Sequence, residues 1–310
     1  MPELQWQRLL WEQQPYPDNY VPRSFLSSLS TNRSVKPYTY WPLVLSSCAI
    51  TQHLSSIFIF LATFVRLYSD TFDPRLLVFI SVGMFATGYT TWEVLDCVQA
   101  GSNHAPSDRR AKAVKASILV FLALIALAPI LRTLTAATSS DSIWALSACL
   151  FLLNAVLADY SSARRGGYVR ERLTSVLSMN AAISAAVVLA SRLHDDLSVF
   201  ALVLFSVQLF ALFPILRHRL QTLPGGLQYG LTIAIAAFAL AFTAPLSTRV
   251  MYMALLLMLC TSIVAPAILV WAQRYKNEIH GPWDAATPKV QVGRESTVVY
   301  AQPVAVSGLQ

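Results

Sequence analysis

Charged residues are scarce in this sequence. Asp, Glu, Lys and Arg make up 13% of the 310 residues, whereas apolar residues make up 55%. A soluble globular protein needs more charge than this to cover its surface, and the apolar fraction is large enough for several membrane spans. The composition therefore excludes an ordinary soluble domain and predicts a membrane protein that crosses the bilayer several times.

Several kinds of chemical motif are also missing. The sequence has no G-x-G-x-x-G, no P-loop, no H-E-x-x-H and no D-x-D of the kind that holds a metal-bound sugar nucleotide. Asp195 and Asp196 are adjacent rather than spaced, and we interpret them as a helix-starting cap. We therefore expect no bound metal, no other cofactor and no nucleic-acid partner.

Cysteine is rare as well. Four cysteines lie within or at the ends of four different apolar segments, and no two of them form a C-x-x-C pair: Cys48, Cys97, Cys149 and Cys260. This distribution indicates neither a disulfide framework nor a zinc site. We interpret the four as small apolar side chains.

Apolar runs divide the chain into a tail, eight spans and a second tail. Each run is about long enough for a helix to cross a hydrocarbon core about 30 Å thick, and lipid cannot hydrogen-bond an exposed backbone, so the spans should be helices. The predicted spans are 43–65, 76–98, 114–131, 142–159, 173–191, 197–216, 227–247 and 250–273. Seven or nine spans are the alternatives, because the second run ends in carboxylates and the last two runs nearly touch.

The distribution of Lys and Arg predicts an orientation. Eighteen of them lie in the first tail, the second, fourth and sixth connections and the last tail, against five on the other side. The positive-inside rule puts the eighteen in the cytosol. The prediction is an all-α membrane protein: a tail over 1–42, a bundle of about eight transmembrane helices over 43–273 and a tail over 274–310, with both termini cytosolic. The connections and tails are too short for a soluble domain.

The tails carry their own patterns. Apolar residues one helical turn apart occur twice in the first tail, within residues 6–10 and within residues 25–29. This spacing predicts two short helices in the membrane interface, which either anchor the tail or dock a partner. Residues after about 286 mix small, polar and charged residues without periodicity and are predicted to be disordered.

Polar residues within or at the edge of the spans are the candidates for function. Glu93 and Asp96 share one helix face, where they either bind a cation or proton jointly or have simply reached the cytosolic interface. Asp159 ends the fourth span and has the same two interpretations. Gln52 and His53 lie near the middle of the first span, so they should face other helices, for interhelical hydrogen bonding or for proton relay.

Asn180 has a distinctive position in the fifth span. It lies seven residues into that span, roughly 10 Å below the cytosolic edge at 1.5 Å per residue. Small residues recur along the same helix at steps of four: Ser178, Ala182, Ala186 and Ala190. Such a strip lets a neighbouring helix come close. The pattern predicts that the fifth span is central to the bundle and that neighbouring helices contact it.

Two classes of function fit these features. One is a structural or lipid-presenting subunit of a larger assembly, and the other is a small-solute or proton-coupled transporter that uses the intramembrane carboxylates. The sequence shows no internal repeat and no pair of Gly- or Pro-broken helices at matching positions, although Pro266 is expected to kink the last span. These observations favour the subunit.

Six blocks of the sequence, in order, resemble the C subunit family of phosphatidylinositol N-acetylglucosaminyltransferase. They are Trp6–Tyr20, which ends in QPYPDNY, Pro129–Thr135 with Ser140–Ile143 behind it, Leu177–Ile183, Leu189–Leu193, Phe210–Pro214 and Asn277–Asp284. Together they cover residues 6 to about 286, and six blocks in order make the resemblance specific. The Arg-rich loop 161–172 and the extension past Ala286 depart from the family pattern.

The resemblance implies a multi-pass protein of the endoplasmic reticulum that acts in the first step of glycosylphosphatidylinositol anchor synthesis. In that step a complex moves N-acetylglucosamine from UDP-GlcNAc to phosphatidylinositol on the cytosolic face of the membrane. In this family the sugar-nucleotide site belongs to a separate catalytic glycosyltransferase subunit. The resemblance therefore implies a non-catalytic subunit whose partners are that glycosyltransferase, the other subunits and phosphatidylinositol.

On this basis we expect the bundle to scaffold the catalytic subunit and to help present the lipid. The candidates for lipid contact or helix packing are Asp159, Asn180, Glu93, Asp96 and His53. The candidates for interfacial anchoring or partner docking are Trp6, Asp18, Asn19, Tyr20, His280, Trp283 and Asp284. The simpler alternative is that the first group only holds helices together.

Overall fold

In the computed structural model the backbone is described over residues 37–100, 106–133, 138–160, 173–220 and 225–275, with a few residues of the tails. The chain divides into two compact units, residues 37–274 and the tails 1–36 with 275–310. In the tail unit, β1 (Ser30–Thr31) pairs antiparallel with β2 (Ile279–His280). The side chain of Tyr20 is exposed, and its N–H donates to the carbonyl of Pro17 at 2.8 Å.

Several predictions for the tails fall outside the described residues. These are the sites at Trp6, Asp18, Asn19, Trp283 and Asp284, both interfacial helices, and the disorder after residue 286. His280 lies in β2, opposite Ser30.

The described part of unit 37–274 is helical throughout. Its α-helices are α1 (Tyr40–Tyr68), α2 (Pro74–Ala100), α3 (Pro106–Thr133), α4 (Ser140–Leu157), α5 (Leu173–Ala190), α6 (Asp196–Val207), α7 (Phe213–Leu220), α8 (Gly225–Thr243), α9 (Thr248–Leu259) and α10 (Ala265–Ala272). A π-helical segment, Gln208–Leu212, joins α6 to α7 without a break, and a second, Cys260–Val264, joins α9 to α10. A helix therefore covers each of the eight predicted spans, and the all-helical class is confirmed.

Six of these helices are long and apolar enough to cross a membrane. They are Tyr40–Tyr68, Val114–Thr133, Ser140–Leu157, Asp196–Leu220, Gly226–Thr243 and Thr248–Tyr275. In α2 the run Thr87–Glu93 lowers the apolar content of the second half. The apolar part of α5, Ser175–Ala190, is shorter than the six. The count of eight spans stays a prediction.

Proline explains both π-helical segments. Pro214 and Pro266 each follow a π segment by two residues, and a proline inside a helix has no N–H for the carbonyl four residues back and its ring crowds that turn. Widening the preceding turn to a π-helix relieves the crowding. In the last helix the carbonyl that Pro266 leaves unpaired belongs to Ser262, and Ser47 Oγ of α1 donates to it at 3.4 Å.

The first and sixth predicted spans form the centre of the bundle. Within the apolar windows of α1 and of Asp196–Leu220, 72% and 61% of the residues are buried, against 11% to 22% in the four other long apolar helices. The core is built largely from their apolar side chains, such as Phe60, Phe64 and Leu202, with the alanines of α5. The outer helices leave large apolar side chains exposed, as at Phe79, Leu152 and Ile233. Exposed apolar surface on this scale is expected of a bundle that is solvated by lipid.

The fifth predicted span, α5, behaves as predicted along one face and not at Asn180. Ser178, Ala182, Ala186 and Ala190 are buried, and α5 packs along α4. Asn180 is exposed. The reason is helical geometry, because Asn180 lies two residues, or about 200°, from both Ser178 and Ala182. The expectation that neighbouring helices enclose Asn180 was therefore wrong, although the strip beside it is enclosed.

Candidate functional site

A chain of buried polar side chains joins α1, α4 and α5. His53 Nε2 lies 2.9 Å from Asn154 Oδ1, and Asn154 Nδ2 donates to both the carbonyl and the hydroxyl of Ser178 at 2.9 Å. Ser178 Oγ in turn donates to the Asn154 carbonyl at 2.8 Å. Because Asn154 uses its amide N–H groups on Ser178, its Oδ1 must accept, and His53 therefore carries a proton on Nε2. Three helices are thus tied together by groups that are almost completely buried.

A second polar link joins α1 to α8. Gln52 Nε2 donates to Thr232 Oγ1 at 2.8 Å, and Thr232 Oγ1 donates to the carbonyl of Gln228 at 2.7 Å. Gln52 is 1% exposed. Its Oε1 is buried and has no hydrogen-bond partner among the described residues. An unpaired buried acceptor of this kind is unusual and calls for a physical explanation.

Arg217, near the end of α7, places a buried positive charge beside these links. Its side chain is 3% exposed, and it donates Nη1 to the Ala49 carbonyl at 3.0 Å and Nη2 to the Asp159 carbonyl at 3.3 Å. The negative charge of Asp159 also attracts it. Its Nε has no hydrogen-bond partner in the described part of the chain. The π segment before α7 changes the helix register by one residue, and the helix then turns Arg217 inward.

Tyr160, just beyond α4, packs between Arg217 and His53. The guanidinium carbon of Arg217 is 6.0 Å from the centroid of the Tyr160 ring, and the His53 ring meets that ring edge-on at 5.8 Å. The phenol donates to the Ala155 carbonyl at 2.6 Å. Burial raises the pKa of Tyr160 to about 12, against the smaller opposing effect of Arg217. The phenol is therefore neutral at physiological pH, and it does not neutralise Arg217.

A cleft of about 110 Å³ opens next to this polar cluster, between α1, α7 and α8. It is lined by Gln52, Arg217, Leu220, Leu227, Gln228 and Leu231. One wall is therefore cationic and amide-rich, and the other is built from leucines. An amphiphilic molecule with an anionic head matches such a cleft in chemistry.

The structure brings together only part of the set of residues predicted from the sequence. His53 and Asp159 both belong to the cluster around Arg217. Glu93 is half-buried on α2. The backbone of Asp96 continues the same helix, but its side chain lies outside the described residues, so the proposed Glu93–Asp96 pair stays a prediction. Within the described chain no group of three or more His, Cys, Asp and Glu residues could hold a metal ion.

Sequence reasoning missed two important members of the cluster. Asn154 lies in the middle of the predicted span 142–159, and the argument applied to Asn180, that a buried amide needs a partner, applies there with better reason. Arg217 was counted only as a basic residue of the sixth connection. A signal was available, because an arginine within one turn of a proline-containing apolar run can lie inside the helix rather than beyond it.

Arg66 offers a useful comparison at the other end of α1. It donates Nη2 to the Phe242 carbonyl at 2.9 Å, and its guanidinium lies 4.1 Å from the centroid of the Phe242 ring. It is therefore another partly buried arginine that binds a backbone carbonyl. It lies far along α1 from the cleft and is not part of its lining.

The helical bundle, its exposed apolar faces and its buried polar cluster define a multi-pass membrane protein with an amphiphile-sized cleft at one end. A family model described as phosphatidylinositol N-acetylglucosaminyltransferase matches residues 6–284, and the chain belongs to this family. This match confirms the resemblance that the six sequence blocks indicate.

Relatives in several organisms carry the same description. The phosphatidylinositol N-acetylglucosaminyltransferase GPI2 subunit of Schizosaccharomyces pombe is 38% identical over 92% of this chain and 87% of its own length. The human relative, named as the C-type subunit of the same transferase, is 33% identical over 94% of this chain and 96% of its own length. The GPI2 subunit of Saccharomyces cerevisiae is 28% identical over 67% of this chain and 71% of its own length. No solved structure matches the chain.

Proposed function

We propose that this chain is a membrane subunit of the complex that transfers N-acetylglucosamine from UDP-GlcNAc to phosphatidylinositol. The observation that carries the proposal is the family match over residues 6–284, together with relatives named as subunits of that transferase over more than nine tenths of this chain. The step is the first in glycosylphosphatidylinositol synthesis, and the family resemblance supports a location in the endoplasmic reticulum.

Within that complex the chain acts as a scaffold and helps to present the lipid acceptor, rather than binding the sugar nucleotide. A separate glycosyltransferase subunit supplies the catalytic site. The lipid-presenting role is supported by the polar cluster of His53, Asn154, Asp159 and Arg217, which lies near the start of α1 and the end of α7. This is the end of the bundle that carries the basic connections. Anionic lipid is attracted there at roughly 1 kcal/mol per nearby Lys or Arg.

The proposed topology has eight spans and both termini in the cytosol. It is supported by the eighteen basic residues on one side and by a helix at each of the eight predicted positions. In this orientation the cleft beside Arg217 opens in the cytosolic half of the membrane. The sugar is delivered on the same face.

Purification in mild detergent tests the proposal. The full chain, tagged at its C-terminus, should co-purify in a fixed ratio with a glycosyltransferase subunit, and the purified complex should transfer N-acetylglucosamine from UDP-GlcNAc to phosphatidylinositol. A chain that purifies alone and moves a solute across liposomes would instead support the transporter. The control is an unrelated multi-pass protein of similar size with the same tag, which should bring down neither the glycosyltransferase nor the activity.

A further inference from the structure

The cleft between α1, α7 and α8 has two unlike walls. Gln52 and Arg217 form the inner wall, where they are 1% and 3% exposed. Leu227, 55% exposed, and the neighbouring leucines form the outer wall. An occupant must therefore be polar at one end and apolar at the other. Among the molecules that a membrane supplies, a phospholipid has this form.

The inner wall offers one unpaired donor and one unpaired acceptor. Arg217 Nε can only donate a hydrogen bond, and Gln52 Oε1 can only accept one. Neither atom has a partner among the described residues, although the other nitrogens of both side chains are bonded. A ligand that satisfies both atoms must carry an acceptor and a hydroxyl or amine donor within one head group. Both atoms are buried, so binding includes a rotation of the two side-chain ends towards the cleft.

Charge selects the acceptor. The guanidinium of Arg217 is bonded to two neutral carbonyls, Ala49 and Asp159, and the Asp159 carboxylate attracts it from nearby. Arginine binds phosphate oxygens with short, charge-assisted hydrogen bonds. A phosphodiester is therefore the best acceptor for Nε, whereas a choline head group offers no hydroxyl for Gln52.

We propose that this cleft binds the head group of an anionic phospholipid that carries ring hydroxyls, with the phosphodiester at Arg217 and a hydroxyl at Gln52. The acyl chains then run along Leu220, Leu227 and Leu231 towards the surrounding lipid. The proposal rests on the proposed function, since phosphatidylinositol is the acceptor that the complex must present. The same head-group chemistry occurs in free inositol phosphate, and the test separates the two sources.

The binding test uses the full chain in mild detergent and three probes. Dioctanoyl phosphatidylinositol should bind at least tenfold more tightly than dioctanoyl phosphatidylcholine and than inositol 1-phosphate. Equal affinity for phosphatidylinositol and phosphatidylcholine would overturn the proposal. Equal affinity for inositol 1-phosphate would overturn the assignment to a lipid, because the leucine wall would then contribute nothing.

Variants locate the site. Arg217→Gln should weaken binding of dioctanoyl phosphatidylinositol at least tenfold, whereas Arg66→Gln, the matched arginine outside the cleft, should leave it within twofold. Gln52→Leu should weaken phosphatidylinositol binding more than binding of dioctanoyl phosphatidic acid, which lacks the ring hydroxyls. Equal losses in Arg217→Gln and Arg66→Gln would overturn the proposal.

A second variant guards against misfolding of Arg217→Gln. Leu227 is more than half exposed, so Leu227→Trp should fill the cleft without disturbing the core or the links of Arg217. It should weaken phosphatidylinositol binding at least fivefold while the lipid-free unfolding temperature stays unchanged. Unchanged binding in a folded Leu227→Trp chain would contradict the proposal.

Kinetics of the assembled complex separate this inference from the proposed function. With Leu227→Trp in the complex, the KM for phosphatidylinositol should rise at least fivefold, and kcat and the KM for UDP-GlcNAc should stay within twofold. If the complex assembles and transfers sugar with an unchanged KM for phosphatidylinositol, the cleft assignment fails and the subunit role stands. If no complex assembles with the unaltered chain, the proposed function fails whatever the binding data show.

Discussion

Two asparagines show how much a single position on a helix decides. Asn154 is 1% exposed and forms four hydrogen bonds to His53 and Ser178, whereas Asn180, one helix later, is exposed. Both lie inside predicted apolar spans and look equivalent in the sequence. What separates them is the face of the helix on which each lies, and only the packing of α4 against α5 decides that face.

The first prediction compares these two asparagines. Asn154→Leu removes the partner of the His53 ring and of the Ser178 carbonyl, and each buried polar group left unpaired costs about 1–3 kcal/mol in soluble proteins and less in membranes. We expect a loss of about 1–3 kcal/mol of unfolding free energy, measured by titrating SDS into mixed micelles. Asn180→Leu should change it by less than about 0.5 kcal/mol.

The comparison contains its own control, because both substitutions replace the same residue with the same side chain. If Asn180→Leu proved as destabilising as Asn154→Leu, the exposed placement of Asn180 would be wrong. Enclosure of Asn180 by neighbouring helices, as its position in the fifth span predicts, would then be the better description.

At the scale of the helix, proline shapes the path of two long spans. The expectation that Pro266 kinks the last span is met by a π segment that ends two residues before it, and Pro214 has the same relation to Gln208–Leu212. The existence of helices followed from apolar length. The π segments did not, because they depend on whether a neighbouring helix can satisfy the freed carbonyls. Here the hydroxyls of α1 supply that partner at Ser262.

The second prediction concerns the contact between α1 and the last span. Thr51 Oγ1 and Ser262 Oγ are 2.6 Å apart, and Thr51 is 3% exposed. Thr51→Val keeps the shape and removes this hydrogen bond, so we expect a loss of about 0.5–1.5 kcal/mol in the same SDS titration. Thr87→Val is the matched control, because Thr87 is exposed and bonds only carbonyls of its own helix. Equal losses in the two variants would mean that the interhelical bond is not what stabilises this contact.

At the scale of the whole molecule, the sequence predicted the helices and their number better than their arrangement. Length and apolar content place a helix at every predicted span. The centre of the bundle was assigned to the fifth span from its small-residue strip, and that strip is indeed buried. The most buried long helices are nevertheless α1 and the helix Asp196–Leu220. Hydropathy cannot distinguish a helix enclosed by protein from one enclosed by lipid, since both environments are apolar.

The candidate site was predicted only where a polar residue was isolated in an apolar run. His53 and Gln52 stood out for that reason, and both bond to other helices. Arg217 did not stand out, because its neighbours His218 and Arg219 made it look like part of a cytosolic connection. Its burial depends on three long-range contacts, to Ala49, Asp159 and Tyr160, that no local pattern encodes.

The third prediction tests the orientation of the bundle. Asn32-Arg33-Ser34 is an acceptor sequence for N-glycosylation, and a cytosolic tail predicts that it carries no glycan. Glycosidase treatment should therefore leave the electrophoretic mobility of the chain unchanged. A shift would invert the topology.

Cysteine labelling supplies the positive control for that experiment. Asp70→Cys, in the connection after α1, should react with a membrane-impermeant maleimide only after sealed vesicles are opened with detergent. Thr222→Cys, in the connection before α8, should react while the vesicles are intact. The reverse pattern would place the cleft beside Arg217 in the other half of the membrane.

The most direct measurement of the central claim is the transfer of N-acetylglucosamine in membranes from cells that lack this chain. The rate of transfer from UDP-GlcNAc to phosphatidylinositol should fall at least tenfold when the chain is removed and should recover when the full chain is restored. Membranes that transfer the sugar at an unchanged rate without the chain would contradict its assignment to the complex.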